Sequence, residues 1–208
     1  SEAAVSTPGG GPGVARTRCR GYDIAMSVIV GGRTKLTYQE YRHFPDDGRR
    51  HEIIDGEHYV SPSPSSRHQS ASRHIQFFLY EQIEKNREAQ VFNAPMDLEL
   101  TPTDVVQPDL IVVLDRNREI ILPNRIRGVP DLVVEILSPA TAERDETLKR
   151  ALYERSGVPE YWVVDANDVE VRRYLLGPDG YGEPEICRHE LRFFDATVDL
   201  DEVRRRLF

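Results

Sequence analysis

The segment Asp131-Leu132-Val133-Val134-Glu135-Ile136-Leu137-Ser138-Pro139, with Thr141–Gly157 and then Tyr161-Trp162-Val163-Val164-Asp165 behind it, decides how this chain folds. Its first part is a short β-branched run of the kind buried inside a sheet. Ser138-Pro139 stops that strand, Thr141-Ala142-Glu143-Arg144 begins a helix to about Ser156, and Gly157 takes the C-terminal position where a left-handed residue is needed. The order is strand, helix, strand. Asp109–Leu114 supplies a second buried run, and Gln90–Leu100, with Met96, Leu98 and Leu100 alternating, reads as a further strand.

Working outward, Ile75, Leu79 and Ile83 recur at helical spacing with Phe78 and Gln82 beside them and predict a long helix from roughly 67 to 88. Before it, His51–Ile54 and Glu57–Val60 flank Asp55-Gly56, a pair that favours a two-residue hairpin because a type I′ turn needs positive φ at both central positions. Thr37 and Glu40 form a capping-box pattern that starts a short helix to about Phe44. Beyond the crossover, Val169–Leu175 reads as a strand joined to Tyr161–Asp165 by Ala166-Asn167-Asp168, and Asp201–Arg206 as a short helix. One helical crossover among runs of strands predicts an α/β fold of α+β mixed type, with a central mixed β-sheet flanked by helices and an N-terminal β-hairpin.

The chain has 208 residues, enough for one core, and a formal net charge of −8. Such a balance disfavours tight, non-specific binding to a polyanion. Residues 1–35 carry Arg16, Arg18, Arg20, Arg33 and Lys35 against Glu2 and Asp23, are dense in Gly, Ser, Ala and Pro at the start, and read as a disordered tail. Met26 offers itself as a natural start, with the residues before it an upstream extension. A single domain is predicted over 36–208. Its longest apolar runs, such as Leu110–Leu114, span five residues against the roughly 20 needed to cross a bilayer, so no membrane partner is expected. Cys19 and Cys187 match no metal or redox spacing, which points to a reducing, cytoplasmic setting.

Asp109 begins one buried strand and Glu135 sits late in the next, and two carboxylates from neighbouring strands can hold one hard divalent cation such as Mg²⁺ or Mn²⁺. Asp131 shares a face with Glu135 but lies about 13 Å away along the same strand, too far to share an ion. On the crossover helix Asp145, Lys149 and Tyr153 stack at i, i+4 and i+8, and an ammonium delivered there can stabilise charge that develops on a phosphate. Asp145 and Lys149 also fit an ordinary helix ion pair. Trp162 and Tyr161 read as core residues rather than a base-stacking platform. Between the two acidic strands, Arg116, Arg118, Arg125 and Arg127 face only Asp115 and Glu119 in sequence, a local excess suited to phosphate contact or to a solvated loop.

The ordered set His51-Glu52-Ile53-Ile54-Asp55-Gly56-Glu57, Ser63-Pro64 before His68, Pro108-Asp109, Val134-Glu135-Ile136-Leu137-Ser138-Pro139, Asp145, Lys149, Tyr153 and Gly157-Val158-Pro159-Glu160-Tyr161-Trp162-Val163-Val164-Asp165 resembles the Uma2 family, formerly DUF820. The resemblance runs from about Leu36 to Leu175 and implies a restriction-endonuclease-like fold of the PD-(D/E)XK type. It implies an endonuclease acting on DNA, with Mg²⁺ or Mn²⁺ held by Asp109 and Glu135, Glu52 as a third ligand or water-orienting acid, and His68 and Tyr153 as accessory residues. The broad superfamily places a lysine two residues after the second acid, where this chain has Leu137. Either Lys149 takes that role from the helix, or the fold serves as a weakly catalytic or inactive module that binds nucleic acid or a protein. Nucleases of this fold often pair as homodimers, since two sites address two strands, although no segment announces an interface.

Overall fold

The computed structural model describes residues 28–30 and 33–207. Most of the segment read as a disordered tail, Met26 included, lies outside them. Within it, β1 (Val28–Val30) and β2 (Arg33–Lys35) pair antiparallel. The capping box then starts α1 (Tyr38–Tyr41): the Thr37 hydroxyl accepts from Gln39 N at 3.2 Å, and Thr37 N donates to Glu40 at 2.8 Å.

The hairpin follows as β3 (Arg50–Ile54) and β4 (Glu57–Ser61), with Asp55 at φ +53° and Gly56 at +78°. A Cβ on Gly56 would overlap the Lys35 side chain. Gly56→Ala therefore combines left-handed strain with a clash, and a loss of about 1–2 kcal/mol is expected in denaturant unfolding. An unchanged midpoint would show that the turn relaxes freely.

Ser65 caps α2 (Ser66–Leu79) by accepting from His68 N, and the helix continues through a wider π turn, Tyr80–Glu84. The predicted strand Gln90–Leu100 is two strands in different sheets: β5 (Ala89–Asn93) and β6 (Leu98–Thr101). Pro95 lies between them and has no N–H to offer a ladder, so one continuous strand cannot form. β7 (Asp104–Val106) and β8 (Leu110–Leu114) come next. The Arg116–Arg127 loop holds a 3₁₀ segment, Asp115–Ile120, and two short strands, β9 (Ile121–Leu122) and β10 (Arg125–Arg127).

β11 (Leu132–Ile136) leads into the crossover helix, which comprises α3 (Ala142–Arg144), a π turn (Asp145–Lys149) and α4 (Arg150–Ser156), and ends on Gly157 at φ +81°. It returns the chain to β12 (Glu160–Asp165), parallel to β11, and β13 (Glu170–Gly177) pairs antiparallel beyond it. Short strands β14 (Gly180–Tyr181), β15 (Glu185–Cys187), β16 (Glu190–Phe193) and β17 (Ala196–Asp199) precede α5 (Leu200–Arg206).

The central sheet is mixed, in the order β14-β13-β12-β11-β8-β5 with β15 on β13, and a second sheet runs β4-β3-β7-β6-β10-β9. Strand alternation divides the core into two layers. Leu110, Val112, Leu132, Val134, Ile136 and Trp162 pack with Ala71, Ile75 and Leu79 of α2. Ile111, Val113, Val133, Tyr161 and Val163 face the other way, against Leu152 and Tyr153 of α4 and Ile54, Leu98, Val106 and Ile126 of the second sheet. The fold is thus α/β with a mixed central sheet between helices. Among the described residues no helix is long and apolar enough to cross a membrane.

Candidate active site

Odd-numbered residues of β8 and β11 face the layer shared with the second sheet, and Glu135 follows that rule. The antiparallel register pairs Val134 with Leu110. One further step sets Asp109 opposite Glu135, and such cross-strand neighbours are about 4.5–5.5 Å apart at Cα. Asp109 Oδ2 accepts from Ile136 N at 2.8 Å, which ties the first acid to the strand of the second. Both acids are buried, at 3% exposure.

Lys149, on the π turn of the crossover helix, points into the same layer and is itself buried. Its Nζ lies 2.9 Å from Glu135 Oε1, 2.8 Å from Glu52 Oε1 and 3.7 Å from Asp145 Oδ1. Glu52 arrives from β3, where it shares a face with Arg50, and its Oε1 also accepts from Gln107 N at 3.0 Å. The Tyr153 hydroxyl donates to Glu135 Oε1 at 2.7 Å. Lys149 thus sits beside the second acid, while Leu137, two residues after it, packs against the apolar layer.

Asp109 has its own partners. Arg50 donates to Oδ1 at 2.6 Å, and His68 Nε2 lies 3.0 Å from Oδ2. The capped first turn of α2 brings His68 there, and its Nδ1 is buried without a hydrogen-bond partner. Arg144 extends the cationic side: its guanidinium donates to the Ser61 hydroxyl and lies 3.7 Å from Glu52 Oε2. Arg50 and Arg144 escape sequence reasoning. Arg50 carries one signal, its i, i+2 relation to Glu52 on a strand, whereas an arginine just before Asp145 looks like any exposed helix residue.

These groups enclose a cavity of about 30 Å³, room for one or two waters, walled by Ser61–Pro64 and by Ser138 and Thr141. Burial shapes their protonation. It works against the Asp109 carboxylate, but His68 and Arg50 outweigh it and hold the pKa below its ordinary value. Burial pushes Glu135 up to about 8, helped by Asp145, Asp109 and Glu52 and opposed by Lys149. Asp145 is raised for the same first reason. For Lys149 burial disfavours the charged form, yet Glu135, Glu52 and Asp145 more than compensate, and its pKa is raised.

Two buried carboxylate oxygens, Glu52 Oε2 and Asp145 Oδ1, accept no hydrogen bond. Orphaned hard oxygens beside Asp109 and Glu135 suit a divalent cation of the Mg²⁺ or Mn²⁺ kind. Among the described residues no three Asp, Glu, His or Cys side chains converge tightly enough to enclose an ion alone. The expected trio Asp109, Glu135 and Glu52 is thus not a ready-made cage, because Glu52 is drawn toward Lys149 and Gln107 N.

The four loop arginines lie elsewhere. Arg116 donates to buried Asp131 at 2.7 Å, Arg118 is 3.5 Å from Asp115, and Arg125 and Arg127 meet Glu99 at 2.6 and 3.6 Å. Each already has an acid partner, and none lines the cavity. Asp131, which also accepts from Leu114 N at 2.8 Å, anchors the far end of the strand pair and takes no part in the site. Trp162 and Tyr161 are fully buried core residues.

Comparison with known proteins agrees with this fold. A sequence profile of the Uma2 family, described as "Putative restriction endonuclease", matches residues 38–202. An uncharacterized protein of Synechocystis, slr1290, is 27% identical over 150 residues, covering 70% of this chain and 77% of its own length. A crystal structure from Anabaena variabilis, titled as a putative nuclease belonging to DUF820, superposes with a TM-score of 0.69 at 18% identity, over 83% of this chain and 99% of that one. That likeness establishes a shared fold. The profile spans nearly the whole described region, from α1 into α5, and the chain therefore belongs to the Uma2 family.

Proposed function

We propose that this protein is a divalent-metal-dependent endonuclease that hydrolyses phosphodiester bonds in DNA. The observation that carries the reading is the convergence, in one cavity, of two acids on adjacent strands with a buried lysine that bridges Glu135 and Glu52. Asp109 and Glu135 would hold Mg²⁺ or Mn²⁺, with Glu52 Oε2 as a further oxygen donor. When bound, such a cation supplies Lewis-acid polarisation of the phosphodiester and activates water for attack.

The chain's own residues set the stage for that chemistry. Asp109 is ionised at neutral pH through His68 and Arg50. Glu135 carries a proton near neutrality and must release it to act as a ligand. Tyr153 and Lys149 orient Glu135 through its Oε1. The Lys149 ammonium and the Arg144 guanidinium place fixed positive charge on the cavity wall, where negative charge develops as phosphorus is attacked.

One observation favours a second reading, a nuclease-fold module that binds nucleic acid or protein without turnover: among the described residues no three acidic, His or Cys side chains form a ready metal site. Incubation of the full chain with single- and double-stranded DNA and RNA separates the two. Cleavage requiring Mg²⁺ or Mn²⁺, together with calorimetric binding of Mn²⁺ that disappears in Glu135→Ala, is the expected result. Intact substrates under all these conditions would overturn the enzyme reading in favour of the module.

A further inference from the structure

Two larger grooves adjoin the acidic cavity. One, of about 470 Å³, lies over α1 and the loop after it and is lined by Arg42, Phe44 and Arg49 among others. The other, of about 310 Å³, lies along α2 and β5 and is lined by Arg73, Gln76 and Asn93. Arg50 and Pro64 line both grooves and the cavity, and Gln69 and Ala94 line both grooves, so the three spaces adjoin around Arg50.

Charge distinguishes these grooves from the loop of four paired arginines. Arg42 and Arg73 are exposed and, among the described residues, have no acid partner. Arg49 lies 3.9 Å from Asp47 and is still 65% exposed. Acids are present too: Asp46 and Asp97 line the first groove, but one Asp97 oxygen already accepts from Tyr41 at 2.6 Å and from Gln107 at 2.8 Å. The second groove has Asp109, which Arg50 and His68 already engage. Unpaired guanidinium groups in two grooves that each adjoin the cavity of Asp109 and Glu135 match a polyanion that runs past it, since guanidinium is the side chain best suited to phosphate.

We propose that the two grooves carry the sugar–phosphate backbone of one nucleic-acid strand past the cavity, with Arg42 contacting phosphate on one side of the scissile bond and Arg73 on the other. This rests on the reading of the substrate as nucleic acid, and it moves the phosphate contacts from the Arg116–Arg127 loop to α2 and the end of α1.

Binding of a fluorescently labelled oligodeoxynucleotide to the full chain, followed by anisotropy in EDTA across a salt series, tests the assignment without turnover. Each phosphate contact removed lowers the slope of log K against log salt by about 0.7 for a single strand or 0.9 for a duplex. Arg42→Ala and Arg73→Ala should each show that drop with melting unchanged, whereas Arg116→Ala and Arg127→Ala keep the wild-type slope. Wild-type slopes in both groove variants, an equal drop in the loop variants, or no measurable binding by the wild type would overturn the proposal. Cleavage assays with Mn²⁺ keep it distinct from the function it rests on. Arg42- and Arg73-dependent binding without cleavage leaves the strand path standing and removes the enzyme, while undiminished kcat/KM in both groove variants removes the strand path and leaves the enzyme.

Discussion

Lys149→Met is expected to destabilise the protein by about 3–5 kcal/mol at neutral pH, the cost of leaving buried charge without its partner. The lysine is the common neighbour of Glu52, Glu135 and Asp145, and methionine fills its volume without replacing any of its N–H donors. The deficit should shrink as pH falls from 8 to 5, because burial raises the Glu135 and Asp145 carboxyls and protonating them removes repulsion that the lysine offsets. Adding Glu135→Gln should shrink it at pH 8, where Glu135 is ionised in part and is one of the charges the lysine serves, and change it little at pH 5. Denaturant unfolding of the single and double variants at pH 5 and pH 8 measures both effects. A loss below about 1 kcal/mol that does not vary with pH would mean that water reaches this cluster freely and that the ions are not buried in solution.

Glu135→Gln should move activity and stability in opposite directions. Glutamine keeps the shape but gives up the anionic oxygen, and the metal-dependent cleavage proposed above should fall by about 10³-fold. Stability follows from the raised pKa. A carboxyl that titrates near 8 in the folded protein and at 4.5 in the unfolded chain adds stability fully below 4.5, and that contribution drains away as pH rises to 8. Glutamine does not titrate, so wild type and variant should lie closest near pH 4.5 and diverge up to pH 8. The variant then becomes the more stable, by an amount on the order of a few kcal/mol. Thermal melting across this window in EDTA checks the sign. Parallel curves would show that the Glu135 proton is not shared unequally between folded and unfolded states.

Much of the fold is legible in the sequence wherever one residue type has only one comfortable place. Apolar runs such as Leu110–Leu114 and Leu132–Ile136 mark β8 and β11, Asp55-Gly56 marks the hairpin, and Gly157 marks the end of the crossover helix. The short strands from Gly180 to Asp199 and the pair β9–β10 carry no such mark. Their ladders are two to four residues long, and what holds them is pairing and burial against the rest of the fold rather than local preference. β5 and β6 read as one strand because the alternation of Met96, Leu98 and Leu100 follows the apolar residues of β5 without a gap, although the parity of the buried positions changes between them and Pro95 marks the break.

The site divides in the same way. Carboxylates at the ends of apolar runs stand out, since an unpaired acid there is costly, and so Asp109 and Glu135 are visible in the sequence itself. Arginines do not stand out, because a long side chain can lie on the surface or reach inward from the same backbone position. The Arg116–Arg127 cluster reads as basic because Asp131 and Glu99, its acid partners, lie outside it in sequence. Arg50 and Arg144 read as ordinary for the converse reason: what they touch, Asp109 and Ser61, is 59 and 83 residues away.

The antiparallel step that sets Asp109 opposite Glu135 also separates what can drift from what cannot. Both acids hang on a hydrogen-bonded lattice whose spacing is set by peptide geometry, so mutations elsewhere have little leverage over the gap between them. Their cationic companions come from separate elements, a crossover helix, a hairpin and a capped turn, and reach the acids only through side chains. Substitution of Lys149, Arg144, Arg50 or His68 one at a time should therefore leave the gauge between the two acids constant, even where it costs stability.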